Sequence, residues 1–94
     1  MIFSPKELSM INIVLTATPD RQPRTFGFTE LTTAFSIHEK IMKNTETKDE
    51  LEVFIEGDIE FTSEENVFIT RFIKEFKFNV ADGGTVANLL TKLV

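Results

Sequence analysis

The chain has no cysteine, so a disulfide scaffold, thiolate metal sites and thiol catalysis are all excluded, and a reducing compartment is the expectation. Its one histidine, His38, is too little for a zinc site, which needs three or four N, S or O ligands. No apolar run approaches the roughly 18 to 20 residues that cross a bilayer. The start, Met1-Ile2-Phe3-Ser4-Pro5-Lys6-Glu7, lacks a basic segment followed by an apolar one. These absences point to a cytoplasmic protein with no membrane partner. Bases are scarce too, ten against fifteen acids, and a net charge of −5 repels phosphate backbones, which argues against direct nucleic-acid binding. Neither a Walker A loop nor G-x-G-x-x-G is present.

What the chain has is apolar mass and a concentration of negative charge. Its 94 residues, 41% of them hydrophobic and ten of them Phe, suit one domain over 1–94 that buries a core without metal or disulfide. Nine of the fifteen acids lie between Glu46 and Glu65, where Lys48 is the only base, so the molecule is electrically lopsided.

Periodicity gives four helices. Ser4-Pro5-Lys6-Glu7 fits a capping box, with Pro5 at the first helical position and Phe3 and Leu8 as the staple. Leu8, Ile11, Val14 and Leu15 then share a face of a helix over about 5–17, which Pro19 ends. The segment Asp20 to Gly27 is expected to be a loop carrying the exposed bases Arg21 and Arg24. A second helix over about 29–43 places Leu31, Ala34, Phe35, His38, Ile41 and Met42 on its buried stripe. Thr62-Ser63-Glu64-Glu65 is a second capping box, opening a helix over about 63–76 with the stripe Phe68, Ile69, Phe72, Ile73 and Phe76. A last helix from about 85 buries Val86, Leu89, Leu90 and Leu93.

Between these helices, 45–50 is polar and expected to be a linker or a frayed helix end. Residues 51–61 alternate, with Leu51, Val53, Ile55, Ile59 and Phe61 on one side and Glu52, Phe54, Glu56, Asp58 and Glu60 on the other, which predicts one long strand, bent at Gly57. The competing reading is a hairpin turning at Gly57-Asp58. A short strand is expected over 77–80, then an Asp82-Gly83-Gly84 turn with positive φ, capped by Asp82 or Thr85. The result is an α+β fold, four helices packed on a small sheet in the order α-α-β-α-β-α. The strand's backbone needs a partner, supplied by 77–80, the first three residues, 24–28 or a second copy, the last making a homodimer through 51–61.

For function, the acidic face is the informative feature. Alternate carboxylates on a strand point in parallel about 6.8 Å apart and do not converge as calcium requires, so no metal or cofactor is expected. Such a row either protects an edge strand or presents fixed charge to a basic groove on a partner protein. On the second reading Glu52, Glu56, Asp58 and Glu60 steer the partner and Phe54, the ring on the acidic face, anchors it. His38 sits on an apolar stripe without an orienting carboxylate and is expected to be a buried structural side chain, so no catalytic residue is assigned.

The stretch Glu56-Gly57-Asp58-Ile59-Glu60-Phe61-Thr62-Ser63-Glu64-Glu65, followed by Phe68-Ile69 and Phe72-Ile73, resembles small uncharacterised phage- and prophage-encoded proteins of Gram-positive bacteria over about the last forty residues. That resemblance implies a non-enzymatic accessory that binds and modulates or inhibits a host or phage protein. The alternative expectation is a structural or assembly component, of a virion or another complex, that oligomerises through a strand edge.

Overall fold

A computed structural model describes residues 1–94. It is an α+β fold with the four expected helices, but with two small antiparallel sheets in place of one, so the expected order α-α-β-α-β-α holds only roughly. In chain order these are β1 (Ile2–Phe3), α1 (Pro5–Thr16), α2 (Phe28–Met42), β2 (Thr45–Lys48), β3 (Leu51–Phe54), β4 (Gly57–Asp58), α3 (Ser63–Glu75) and α4 (Gly83–Lys92). β1 pairs with β4, and β2 pairs with β3.

Both capping boxes form. The Ser4 hydroxyl accepts from Glu7 N while Glu7 Oε1 accepts from Ser4 N at 2.8 Å, and Thr62 and Glu65 repeat the exchange at the head of α3. Each cap satisfies donors that the first helical turn leaves orphaned. The stripes of α1 and α3 close on each other, with Leu8, Ile11, Val14 and Leu15 on one side and Phe68, Ile69, Phe72 and Ile73 on the other, all buried. Ala34, Ile37 and Ile41 of α2 and Leu89 and Leu93 of α4 complete one hydrophobic cluster.

That cluster is built from two halves with corresponding residues and reciprocal contacts. Phe3-Ser4-x-x-Glu7 and Ile11 of the first half correspond to Phe61-Thr62-x-x-Glu65 and Ile69 of the second, and the two Phe rings meet edge-on at 5.4 Å. The second helix of each half crosses to the other. Lys92 of α4 donates to Glu7 Oε1 at 2.7 Å and to Ile2 O at 2.8 Å, with its ammonium 5.6 Å from the Phe3 ring. Lys40 of α2 donates to Glu65 Oε1 and, at 3.0 Å, to Glu60 O, with its ammonium 5.8 Å from the Phe61 ring. The buried trio Ala34, Ile37 and Ile41 has its counterpart in Val86, Leu89 and Leu93 at the same spacing. Reciprocal contacts of this kind are what an isologous interface makes, here within one chain between two βαα halves, residues 1–42 and 57–94.

Several local expectations are corrected. Residues 51–61 are not one strand: β3 ends at Phe54, β4 is a separate two-residue strand, and the hairpin turns at Asp49-Glu50, not at Gly57-Asp58. The polar 45–50 segment is a strand and its turn. Four-residue strands with Thr at alternate positions are too short for apolar periodicity to show. Leu51 and Val53 are exposed and Ile55 and Phe61 half-buried, so of the five positions assigned to the core only Ile59 is fully inside. No strand forms over 77–80, where the chain instead makes a 3-10 turn, Val80–Asp82, leading straight into α4. Gly83 and Gly84 have negative φ and form the first helical turn, and Asp82 makes no side-chain cap. In α2 the buried stripe is rotated from the expected one: Ile37 is core, whereas Leu31 and Phe35 are exposed. Two apolar stripes adjoin on that helix, and periodicity alone does not choose between them.

Candidate functional site

The segment joining the two halves, residues 43–56, contributes no buried residue, and its strands β2 and β3 form a hairpin outside the core cluster. Register pairs Thr45 with Phe54, Glu46 with Val53, Thr47 with Glu52 and Lys48 with Leu51. Paired residues share a face. One face therefore carries Thr45, Thr47, Glu52 and Phe54, and the other Glu46, Lys48, Leu51 and Val53.

The inner face fastens the hairpin. Phe54 packs half-buried against the core cluster, beside α1, where it lines a shallow cleft of about 430 Å³ with Pro5, Lys6, Ser9, Glu52 and Val53. Glu52 accepts from the Thr45 hydroxyl at 2.8 Å, and Ile55 N donates to Asn44 O at 2.8 Å, closing the hairpin's base. At that base the Asn44 side chain stands where a Cβ on Gly57 would sit, 1.9 Å from Oδ1, so a side chain there would displace it. Phe54 is thus a packing residue and not the free ring that alternation suggested.

The outer face is where apolar side chains meet water. Leu51 is 67% exposed and Val53 37%, and exposed Glu46, Glu50 and Glu56 belong to the same segment. The tip is strained: Asp49 and Glu50 have φ of 51° and 65°, the left-handed pair of a type I′ turn, although neither is the Gly or Asn that such a turn favours.

The five residues picked from the sequence do not form one row. Glu52 and Phe54 lie on the inner face of the hairpin, and Glu56 is in the connection to β4. Asp58 and Glu60 flank β1, where both accept from the Met1 ammonium at 2.6 and 3.0 Å. These hydrogen bonds, Asp58 first, raise the pKa of the ammonium. Two of the four expected steering carboxylates therefore already have a cation beside them. The residues that sequence reasoning missed are Leu51, Val53 and Glu46. Their signal was Thr45-x-Thr47 followed by the acidic pair Asp49-Glu50, a strand and turn within the segment expected to be a linker.

Elsewhere the structure offers little chemistry. His38 is half-buried on α2, and no three His, Asp or Glu side chains are placed to hold a metal ion. A cleft of about 590 Å³ runs along α3, lined by Ser63, Asn66, Val67, Thr70, Arg71, Lys74, Leu93 and Val94. It has hydroxyls but no imidazole or carboxylate to activate them. The expected basic loop is also not free: the Arg24 side chain is enclosed, its guanidinium 4.2 Å from the Phe72 ring, with Nε donating to Ala17 O, and Arg21 lies 4.9 Å from the Phe76 ring. No helix is long and apolar enough to cross a membrane. Comparison with protein-family models, with curated proteins and with solved structures gives no match.

Proposed function

We propose that the protein is a binding module for another protein, with no reaction of its own, and that the β2–β3 hairpin is its docking element. One observation carries the proposal: the core closes around two reciprocal halves, and the hairpin between them adds no fully buried residue to it, only the half-buried ring of Phe54, while exposing Leu51 and Val53 on an acidic segment. Charge kept only for solubility has no need of an apolar centre. A small apolar patch on a strongly acidic segment, with Lys48 as its one base, matches a partner groove that is basic at its rim and apolar at its floor. In this reading Leu51 and Val53 hold the partner, Glu46, Glu50, Glu52 and Glu56 speed and orient its approach, and Phe54 keeps the hairpin in place. The resemblance to phage and prophage proteins makes a bacterial host protein the first partner to seek, with inhibition or modulation as the outcome.

Reversing Glu46 and Glu56 to Lys tests this. Both side chains are exposed and neither makes an ion pair, so the double variant should keep its stability to within about 0.5 kcal/mol. In a pull-down from a Gram-positive lysate, wild type is expected to retain a partner at low salt and release it at high salt, and the reversed protein to retain none. Equal capture by both proteins would remove the hairpin's charge from the account.

A further inference from the structure

We infer that two copies of the chain associate through the outer face of α2. Phe28, Leu31 and Phe35 are 83%, 51% and 58% exposed there, and half-buried His38 and Met42 continue the line. The spacing 28, 31, 35, 38, 42 is that of the a and d positions of a heptad repeat, the seam along which helices pair. It lies beside the stripe Ala34, Ile37 and Ile41 that α2 already buries in its own core.

The correspondence between the two halves supplies the control. α4 does for one half what α2 does for the other, with matched buried residues and a matched lysine. At the positions corresponding to the α2 seam, however, α4 carries Gly83, Ala87 and Leu90, while exposed Val80 and Val94 lie just outside the helix. A helix in this role therefore folds with glycine and alanine where α2 has leucine and phenylalanine, so the large side chains of α2 serve something outside the fold.

Charge selects the occupant. No lysine or arginine lies on the seam, and Glu39 borders it, which does not suit an anionic lipid surface or a nucleic acid. An uncharged, regularly spaced ridge is complementary to its own copy, and an isologous contact keeps the acidic hairpins outside the seam. Three such side chains expose on the order of 400 Å² per copy. With His38, Met42 and the Thr32 and Glu39 rim, a pair reaches about 1,200 Å², the lower bound of specific interfaces, so a dimer in the micromolar range is expected.

Sedimentation of the full chain from about 1 µM to about 1 mM reads the association directly. The mass of wild type is expected to rise from 10.7 kDa toward twice that value. Phe35→Asp should stay at the monomer mass throughout, with an unchanged circular dichroism spectrum and melting temperature. Ala87→Asp, the equivalent site on α4, should behave as wild type, and so should the Glu46→Lys/Glu56→Lys protein, which separates this contact from the hairpin's. Wild type that remains monomeric at the highest concentration, or Phe35→Asp that doubles like wild type, overturns the inference. So does α2-dependent binding to phosphatidylglycerol vesicles without self-association.

Discussion

Replacing Lys92 with Met should destabilise the protein by about 3 to 5 kcal/mol, because it strands a buried carboxylate. Glu7 is almost fully enclosed; its Oε1 is held by Lys92 and Ser4 N, and its Oε2 has no partner. Without the ammonium nothing offsets the loss of hydration. Lys40→Met should cost less, since Glu65 keeps the Ser36 hydroxyl on Oε2 at 2.7 Å as well as Thr62 N. The position corresponding to Ser36 on α4 is Asn88, which is exposed and makes no such bond. Urea unfolding of the two variants measures the difference, and equal costs below about 1 kcal/mol would show that the pairs behave as surface pairs do.

The same carboxylates set the acid limit of the fold. Burial pushes the pKa of Glu7 up, but its hydrogen bonds to Lys92 and Ser4 N and the lysine's charge outweigh this and leave it below the ordinary 4.5. Glu65 is lowered in the same way, by Lys40, Thr62 N and Ser36 against burial. A group whose folded pKa is depressed adds stability that is fully present above its unfolded value and lost as pH falls through the folded one. Stability should therefore hold from neutral pH to about 5 and decline below about 4.5. Glu7→Gln/Glu65→Gln should flatten that decline, and the defect of Lys92→Met should narrow at low pH, where Glu7 is neutral.

The second large effect is expected at Phe72. Its ring lies 4.8 Å from Phe68 and 5.8 Å from Phe26, and the buried Arg24 guanidinium sits on its face. Phe72→Ala should cost about 3 to 5 kcal/mol, through lost apolar burial and the cavity left behind. Arg24 Nη2 has no hydrogen-bond partner, so the ring is part of what makes its burial tolerable. Phe72→Leu restores most of the volume but not the π face, and should still cost about 1 to 2 kcal/mol by thermal or urea unfolding. A leucine variant as stable as wild type would reduce Phe72 to a space filler.

The helices and their caps were legible because each signal is local. Ser4 with Glu7, Thr62 with Glu65, and the stripe from Phe68 to Phe76 carry their own spacing. The alternation over 51–61 misled because period 2 persists across a break. Leu51 and Val53 keep phase with Ile59 in sequence, yet β3 and β4 belong to different sheets with different partners, and phase along the chain does not carry a common face across that break. The crossed lysines were out of reach, since Lys92 and Glu7 stand at opposite ends of the chain and nothing local joins them. At the candidate site the excess charge was visible, whereas the exposure of Leu51 and Val53 depended on which face of a four-residue strand the single ring of Phe54 would fasten.

That the two halves make the fold and the hairpin makes the contact is tested most directly by shortening the hairpin. Thr45 and Phe54 are register partners, so Asn-Gly in place of residues 46–53 closes a two-residue turn between them and leaves Phe54 in its seat. Urea unfolding of the shortened protein should remain cooperative and lie within about 1 kcal/mol of wild type, while capture of the wild-type partner is lost. Loss of the cooperative transition would show that the hairpin is part of the fold, and undiminished capture would show that the partner docks elsewhere.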